Sequence, residues 1–203
     1  MKYLYILCGH TAAGKTTIGK SLCEHFDIEL VSEGKIKRAM VTETYTYENS
    51  LDEGLRDRGY KEAIRIAIEK LKTANHILLD ASFHKKFRRD WVKEEMDKSD
   101  LDIITIWIYV YCPNKDKVVE RIQQRKVAKK EADNQADSMA IYEHIVSTFD
   151  PLRKEDMWDN TAAFYINTDS LMLEQELTKN LVLPDEDNQI EKTRLFVEEY
   201  LKQ

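Results

Sequence analysis

Short apolar runs alternate with longer amphipathic segments along most of this chain. The first run covers residues 3–8, and a glycine-bounded turn separates it from a segment with helical spacing at 15–26. Short apolar runs predict strands, whereas apolar residues at intervals of three and four predict helices. The chain therefore begins with a predicted strand, loop and helix.

The same alternation continues to the end of the chain. Further strands are predicted at residues 28–31, 76–79, 103–111 and 164–166. Further helices are predicted at residues 33–40, 51–74, 83–98, 114–130, 135–149, 171–181 and 190–201. Strands that alternate with helices predict right-handed crossovers and a mainly parallel sheet covered on both faces. The expected fold is an α/β three-layer sandwich with a five-stranded sheet, and the ligand is expected at the carboxyl ends of the strands.

A length of 203 residues is enough for one domain with a core, a lid and a terminal extension. We predict one domain over residues 1–183, with a helical lid at about 115–152. An acidic linker and a C-terminal helix are predicted in the remaining segment, 184–203. The polar stretch at 42–50 has little periodicity and is predicted to be a mobile connection on the substrate side.

Composition and charge fit a globular enzyme. Apolar residues make up 42% of the chain and charged residues 33%, with three prolines. The formal net charge of -6 gives no support for a general nucleic-acid coat protein. Cys8, Cys23 and Cys112 form no metal-spaced pair, so reduced thiols and a cytoplasmic location are expected. No segment approaches the roughly 20 apolar residues of a membrane helix, so no membrane partner is expected.

The turn after the first strand carries the most specific motif of the sequence. It reads Gly9-His10-Thr11-Ala12-Ala13-Gly14-Lys15-Thr16, which matches the phosphate-loop pattern GxxxxGK[ST]. In this pattern the glycines allow a tight backbone path, and amides at the helix N-terminus bind phosphate oxygens. Lys15 is expected to bridge the terminal phosphates of ATP or a similar nucleotide, Thr16 to hold Mg²⁺, and Thr17 to contact an inner phosphate. The predicted sandwich is therefore that of a P-loop NTPase.

Asp80 follows the apolar strand at 76–79, where a carboxylate can lie near the water shell of Mg²⁺ or near the nucleophile. A strand-end aspartate can also cap a helix. The residues after it lack the glycine of the GTPase DxxG motif. The segment at 114–117 reads NKDK, with its aspartate one position too early for the guanine-reading NKxD motif. A GTPase switch is therefore disfavoured.

Glu33 follows the second predicted strand, where its carboxylate could accept the proton of an attacking hydroxyl. Lys35, Lys37 and Arg38 follow closely and could hold an anionic acceptor. The same string also fits an ordinary helix, because acidic residues favour its first turn and basic residues its last. The sequence leaves both interpretations open.

Arg121 and Arg125 lie four residues apart on the predicted basic helix and so share one face. Two guanidinium groups on a hinged lid could stabilise the charge on a transferring phosphoryl group. The alternative is a solvated basic face, since Lys117, Lys126 and other cations lie on the same helix.

These residues resemble the small P-loop kinases of the zeta-toxin, gluconate kinase and polynucleotide kinase group, and the broad AAA-domain set of predicted kinases. The similarity extends over residues 3–170. It is carried by the phosphate loop, residues 31–33, residues 78–82, the Arg121 and Arg125 pair, residues 136–137 with Tyr142, and residues 149–152.

The resemblance implies ATP-dependent phosphoryl transfer to a hydroxyl. It implies that the acting residues are Lys15, Thr16, Glu33, Asp80 and the lid arginines. Relatives usually carry aspartate at the position of Glu33, whose side chain is longer by one methylene group.

Three functions follow from the sequence. The first is a metal-dependent kinase acting on a hydroxyl of a small molecule or nucleotide, and the second is a nucleotide-dependent regulatory or binding ATPase module. The third is a polynucleotide 5′-hydroxyl kinase, for which Lys85, Lys86, Arg88 and Arg89 form a basic run, although a solvated helix face is the favoured interpretation of that run. The sequence predicts neither the acceptor nor the oligomeric state.

Overall fold

The structure is a computed structural model that describes residues 1–42, 49, 52–128, 139–181 and 188–202. Side chains of the helix at 115–128 are described as far as residue 124. Predictions for the connection at 42–50, for the middle of the lid and for the acidic linker therefore fall wholly or largely outside the described residues. Within the described ranges, no helix combines the length and apolar character needed to cross a membrane.

One sheet lies at the centre of the described structure. Its strands in chain order are β1 (Lys2–Gly9), β2 (Glu29–Ser32), β3 (His76–Asp80), β4 (Ile103–Tyr111), β5 (Thr161–Asn167) and β6 (Met172–Lys179). In space the order is β2-β3-β1-β4-β5-β6. The first five strands are parallel, and β6 pairs antiparallel with β5. The prediction of a mainly parallel sheet is confirmed.

Helices connect most of the strands and cover the sheet. The described helices are α1 (Lys15–Phe26), α2 (Glu33–Ala39), α3 (Glu53–Leu71), α4 (Lys86–Asp97), α5 (Lys115–Ala128), α6 (Met139–Ser147) and α7 (Gln189–Leu201). A short 3-10 turn, Lys154–Asp156, precedes β5.

Both faces of the sheet are buried, which explains why its strands read as continuous apolar runs. In β1, Leu4 and Ile6 pack in the cluster that contains residues of α3 and α4. Their neighbours Tyr5 and Leu7 pack on the opposite face with residues of α1 and α7. The α/β sandwich predicted from the sequence is thus confirmed.

The sixth strand corrects the prediction of five strands and of a helix at 171–181. Leu173 and Leu177 lie four residues apart, a spacing that is typical of one helix face. In the structure they lie in β6 and pack on opposite faces of the sheet. The register shift between Tyr165 and Ile166 of β5 lies between their pairing positions, so the usual two-residue alternation changes side there.

The start of α4 also differs from the prediction, which placed a helix from residue 83. Phe83 is fully buried and has a φ of 43°, a left-handed conformation that interrupts a helix. The helix begins at Lys86, whose backbone N–H donates to Asp150 Oδ2 at 2.8 Å. The loop between β3 and α4 is therefore held against the segment that follows α6.

Candidate functional site

The phosphate loop joins β1 to α1 through three residues with positive φ. These are Gly9 at 125°, Ala12 at 60° and Gly14 at 98°. A Cβ atom at Gly9 would overlap the carbonyl oxygen of Val110 in the neighbouring strand, so only glycine fits there. The loop can thus turn sharply and still lie against the sheet.

The N-terminus of α1 presents backbone donors at the loop. Gly14 is its N-cap and has no side chain to accept from the first-turn amides, and that turn carries no acidic residue. Amides of this kind, together with the positive end of the helix dipole, bind phosphate oxygens. The local geometry therefore fits the phosphate-binding prediction.

Lys15 lies across the loop that contains it. Its Nζ donates to the carbonyl oxygens of Gly9 at 3.0 Å and His10 at 2.6 Å. These contacts hold the ammonium group over the concave side of the loop, where it can exchange carbonyl partners for the more strongly attracting oxygens of phosphates.

Thr16 and Asp80 bring two oxygen atoms together beside the loop. Thr16 Oγ1 donates to Asp80 Oδ2 at 3.4 Å. A hydroxyl and a carboxylate are suitable ligands for Mg²⁺, which takes oxygen ligands and usually completes its shell with waters and substrate phosphates. Among the described residues, no group of three or more His, Cys, Asp and Glu could hold a metal ion by itself. The residues present fit an ion that binds together with a nucleotide.

Glu33 begins α2 next to the end of β3. The pairing of Ser32 with Asp80 in the β2–β3 ladder brings Glu33 to the strand end that carries Asp80. Glu33 is only 6% exposed and forms an ion pair with Lys37, with 3.2 Å between Oε1 and Nζ. A Cβ atom at Gly59 in α3 would lie 3.0 Å from Glu33 Oε1, so the absence of a side chain there allows close packing. The carboxylate is therefore fixed by a neighbouring helix.

A cavity of about 370 Å³ joins these groups. Its lining includes Lys15, Thr16, Glu33 and Asp80, together with Ile141 and Ile145 of α6. The structure thus brings the predicted phosphate, metal and proton-accepting residues to one space at the carboxyl ends of the strands.

Arg121 lies elsewhere, on the outer side of the loop. It donates to Ala12 O at 3.3 Å and to Thr168 Oγ1 at 3.0 Å, and it lines a second cavity of about 300 Å³. It does not line the cavity that Glu33 and Asp80 share, as far as the described residues define that cavity. The side chain of Arg125 lies outside the described residues.

A family model described as an AAA domain matches residues 4–152, which is more than half of the chain. The chain belongs to this AAA-domain family. No curated protein matches the sequence of this AAA-domain protein.

Solved structures of kinases share its fold. One from Chloroflexus aurantiacus, provisionally described as a kinase, has a TM-score of 0.63 at 17% identity, with 96% of each chain covered. An unliganded sugar kinase from Janibacter sp. has a TM-score of 0.60 at 11% identity, covering 100% of this chain and 93% of that one. Kti12 from Chaetomium thermophilum, in complex with ADP-AlF3, has a TM-score of 0.56 at 15% identity, covering 98% and 97%. At these identities the similarity establishes the fold. The family model confirms the predicted resemblance to the AAA-domain set.

The AAA-domain protein also has a polar network beside the cavity. The sequence analysis did not predict this network. His84 is fully buried; its Nδ1 lies 3.2 Å from Ser82 Oγ, and its Nε2 lies 3.4 Å from Arg56 Nη2. Ser82 Oγ also lies 2.6 Å from the hydroxyl of Tyr60. Burial, with Arg56 and Arg88 nearby, lowers the pKa of His84 to about 2, so the imidazole is neutral near pH 7.

Arg88 shows what signal could have revealed this network. The sequence allows the basic run at 85–89 to be a solvated helix face. However, Arg88 lies four residues before the buried Val92, which places both on the inward face of α4. Its side chain is fully buried, and it contacts Asp57 at 2.7 Å and also Glu53. Arg56 and Arg88 outweigh the effect of burial and lower the pKa of Glu53.

His10 is the loop residue that contacts the α6 side of the site. Its ring packs edge-on against Tyr109, Tyr142 and Phe149, and its Nε2 lies 3.3 Å from the hydroxyl of Tyr109. Burial and, second, the charge of Lys15 lower the pKa of His10 to about 4. A neutral imidazole here adds no positive charge to the loop near pH 7.

Proposed function

We propose that this AAA-domain protein is an ATP-dependent kinase that transfers the γ-phosphoryl group to a hydroxyl of a small molecule or nucleotide. One observation carries the proposal: the phosphate loop and the carboxylates of Glu33 and Asp80 line the same cavity. A module that only changes shape on nucleotide binding needs the loop, but it does not need a buried carboxylate within reach of a second substrate.

The nucleotide phosphates would be held by backbone amides at the start of α1 and by Lys15. Thr16 and Asp80 would hold Mg²⁺, which when bound neutralises part of the phosphate charge. Positive charge and oriented donors at this end of the cavity stabilise the transferring group because its charge spreads over the equatorial oxygens in the transition state.

The acceptor hydroxyl would lie between the γ-phosphate and Glu33. Its oxygen forms a new bond to the γ-phosphorus while the bond from that phosphorus to the β–γ bridging oxygen breaks, and ADP leaves with those electrons. The hydroxyl proton passes to the Glu33 carboxylate, which the ion pair with Lys37 keeps in place. Asp80 is the alternative proton acceptor, although its contact with Thr16 fits the metal better.

The second cavity suits the nucleobase. It lies behind the loop, between Arg121 and the segment that follows β5, and Leu171 and Tyr200 give it apolar and aromatic walls. A planar base can stack on a guanidinium plane or an aromatic ring. Arg121 would then hold the nucleotide from the base side, and Arg125 stays a prediction for the phosphoryl group.

Helix α6 supports the idea of a closing element. Ile141 and Ile145 are apolar residues in the lining of the shared cavity, which also includes charged groups of α2. Apolar side chains over a phosphoryl group exclude water, which limits ATP hydrolysis without an acceptor. We therefore retain the lid at about residues 115–152 within a kinase-like domain of residues 1–183.

The polynucleotide kinase alternative loses two of the four basic residues that suggested it. Arg88 is fully buried with acidic partners, and Arg89 is 3% exposed and donates to the carbonyl oxygens of Phe83 and Pro151. Both guanidinium groups form their contacts inside the protein, so they cannot contribute to a surface that binds a phosphate backbone.

The test is Mg²⁺-dependent ADP release from ATP across a panel of hydroxyl compounds, including sugars, sugar acids, nucleosides and 5′-hydroxyl oligonucleotides. We expect one class of acceptor to stimulate turnover in the wild type and Lys15→Ala to abolish it. Lys20→Ala is the matched control, because Lys20 is exposed on the same helix outside the site. Nucleotide binding with acceptor-independent turnover alone would favour the regulatory module, and no nucleotide binding would reject the proposal.

A further inference from the structure

Ser82 lies in the wall of the shared cavity, two residues after Asp80. Its hydroxyl oxygen contacts the hydroxyl of Tyr60, which also lines the cavity, and Nδ1 of the buried His84. The direction of these two hydrogen bonds decides which role Ser82 can play toward a bound molecule.

The first direction follows from the surroundings of His84. Its Nε2 lies 3.4 Å from Arg56 Nη2 and 3.5 Å from Arg88 Nη1. Guanidinium groups only donate hydrogen bonds, so Nε2 must be the acceptor atom of the ring. A neutral imidazole then carries its proton on Nδ1, and Nδ1–H donates to Ser82 Oγ.

The second direction follows from the burial of Tyr60. This side chain is 2% exposed, and its oxygen already accepts a hydrogen bond from the backbone N–H of Phe83 at 3.1 Å. A buried phenolic proton needs an acceptor. Within the described part of the chain, the acceptor in contact with it is Ser82 Oγ at 2.6 Å, so Tyr60 donates to Ser82.

Ser82 Oγ therefore accepts two hydrogen bonds, which use both of its lone pairs. Its own hydrogen remains, and the open side of Ser82 is the cavity. The network thus leaves Ser82 as a donor toward the bound molecule and prevents it from accepting a proton or a hydrogen bond there.

The charges around the cavity also favour an anionic molecule. Among the described lining residues, five cations face two carboxylates, and the cations are Lys15, Lys35, Lys37, Arg38 and Arg56. Under the proposed function Lys15 serves the ATP phosphates, and Lys37 is paired with Glu33. Lys35 and Arg38 are exposed on α2 and line the same cavity, and Arg38 Nε also donates to Gly34 O at 3.1 Å.

We propose that the phosphoryl acceptor carries an anionic oxygen group besides its hydroxyl, a carboxylate or a phosphate, and that Ser82 donates to that group with Arg38 and Lys35 nearby. An anionic oxygen has lone pairs and no hydrogen, which matches a Ser82 hydroxyl that can only donate. This inference rests on the kinase function and names its substrate class, with Ser82 as a specificity-determining residue.

Binding of simple anions tests the site without knowledge of the acceptor. The full chain, saturated with ADP and Mg²⁺, is titrated by calorimetry with inorganic phosphate and separately with acetate. We expect at least one anion to bind the wild type and Ser82→Ala to weaken that binding about tenfold, because a hydrogen bond to a charged group is lost. Ser82→Thr should restore it, and Ser170→Ala outside this cavity should not change it. Binding of phosphate would indicate a phosphate group on the acceptor, and binding of acetate would indicate a carboxylate.

Kinetics with paired acceptors provide the second measurement. Glycerate and glycerol 3-phosphate are compared with glycerol, and gluconate with glucitol, by kcat/KM for ADP release. We expect the anionic member of a pair to be favoured at least about tenfold, and Ser82→Ala to reduce that preference. Equal use of neutral members, or anion binding that Ser82→Ala leaves unchanged, would overturn the inference. Either result leaves nucleotide binding and the dependence of turnover on Lys15 intact, so the kinase proposal is judged separately.

Discussion

Thr16 Oγ1 and Asp80 Oδ2 lie 3.4 Å apart, although 64 residues separate them in the chain. Parallel pairing of β1 with β3 brings the end of β3 beside the phosphate loop. The contact joins the two atoms that the sequence predicts as metal ligands, so it can be tested through the dependence of turnover on Mg²⁺.

Asp80→Asn should raise the Mg²⁺ concentration needed for half-maximal ATP turnover by about 10–100-fold, since an amide oxygen attracts the ion and its waters less than a carboxylate does. The measurement is ADP release against Mg²⁺ concentration at fixed ATP. Asp100→Asn, an exposed aspartate outside the site, is the control. An unchanged Mg²⁺ requirement would remove Asp80 from the metal site.

Glu33→Gln should lower kcat by about 10²-fold or more and leave the KM for ATP close to its wild-type value, because a general base acts on the acceptor proton and not on nucleotide binding. The Mg²⁺ requirement should also stay the same, which separates this variant from Asp80→Asn. Glu29→Gln removes an exposed carboxylate from β2 and is the control. If Glu33→Gln keeps its kcat, Asp80 becomes the candidate base.

Much of this site could be predicted because its signals are local. An apolar run, two glycines at positive φ and the GK[ST] ending occupy consecutive residues, and each has a physical requirement of its own. The roles of Glu33 and Asp80 were proposed only from their positions after predicted strands. A parallel sheet brings such positions to the same edge.

The missed features depend on contacts between distant segments. Nothing near Ser82 in the sequence shows that Tyr60 will lie 2.6 Å away. The buried Arg88 of α4 has acidic partners on α3 that only the packed helices reveal. Leu173 and Leu177 have the spacing of a helix face but lie in β6, where a register shift lets them pack on opposite faces of the sheet. Local periodicity does not contain this information.

Gly59→Ala should destabilise the protein and lower kcat together. The new Cβ would lie 3.0 Å from both Glu33 Oε1 and Lys37 Cβ, so α2 must move. Overpacking of this kind costs about 1–3 kcal/mol, whereas replacing a helical glycine by alanine gains about 1 kcal/mol. We expect a net loss of about 1 kcal/mol in the free energy of unfolding by urea denaturation.

Gly54→Ala is the matched control for that variant, because it lies in the same helix and its nearest contacts are side-chain ends of Asp52 and Arg58. It should be neutral or stabilising, with unchanged kcat. If Gly59→Ala behaves like Gly54→Ala, close packing at Gly59 does not position Glu33.

Stability should fall in acid because two histidines have lowered pKa values in the folded protein. The pKa of His84 is about 2 and that of His10 about 4 in the folded protein, both below the ordinary value of 6.5 that applies to the unfolded chain. Below pH 6.5 the unfolded state therefore binds more protons, so the stabilisation present above that pH is lost as the pH falls. The contribution of each histidine approaches a slope of about 1.4 kcal/mol per pH unit.

Urea denaturation between pH 7 and pH 4 measures this slope. His84→Asn should remove one of the two contributions while its amide can still donate to Ser82, so the difference in stability between variant and wild type should shrink as the pH falls. His25→Asn, at a position that packs on Phe196 away from the site, controls for loss of an imidazole. If the free energy of unfolding changes with pH in the same way for His84→Asn and the wild type, the lowered pKa of His84 is contradicted.

Arg121→Ala separates two roles for this residue. Its three hydrogen bonds to Ala12 and Thr168 place it beside the proposed nucleobase cavity, whereas the lid interpretation places it over the transferring phosphoryl group. Loss of a base and loop contact should raise the KM for ATP about tenfold and change kcat little. Loss of a transition-state guanidinium should lower kcat by about 10³-fold with little change in KM. The geometry favours the first result, and steady-state kinetics with ATP as the varied substrate decides. Arg65→Ala, which removes an exposed guanidinium paired with Glu62, should change neither parameter.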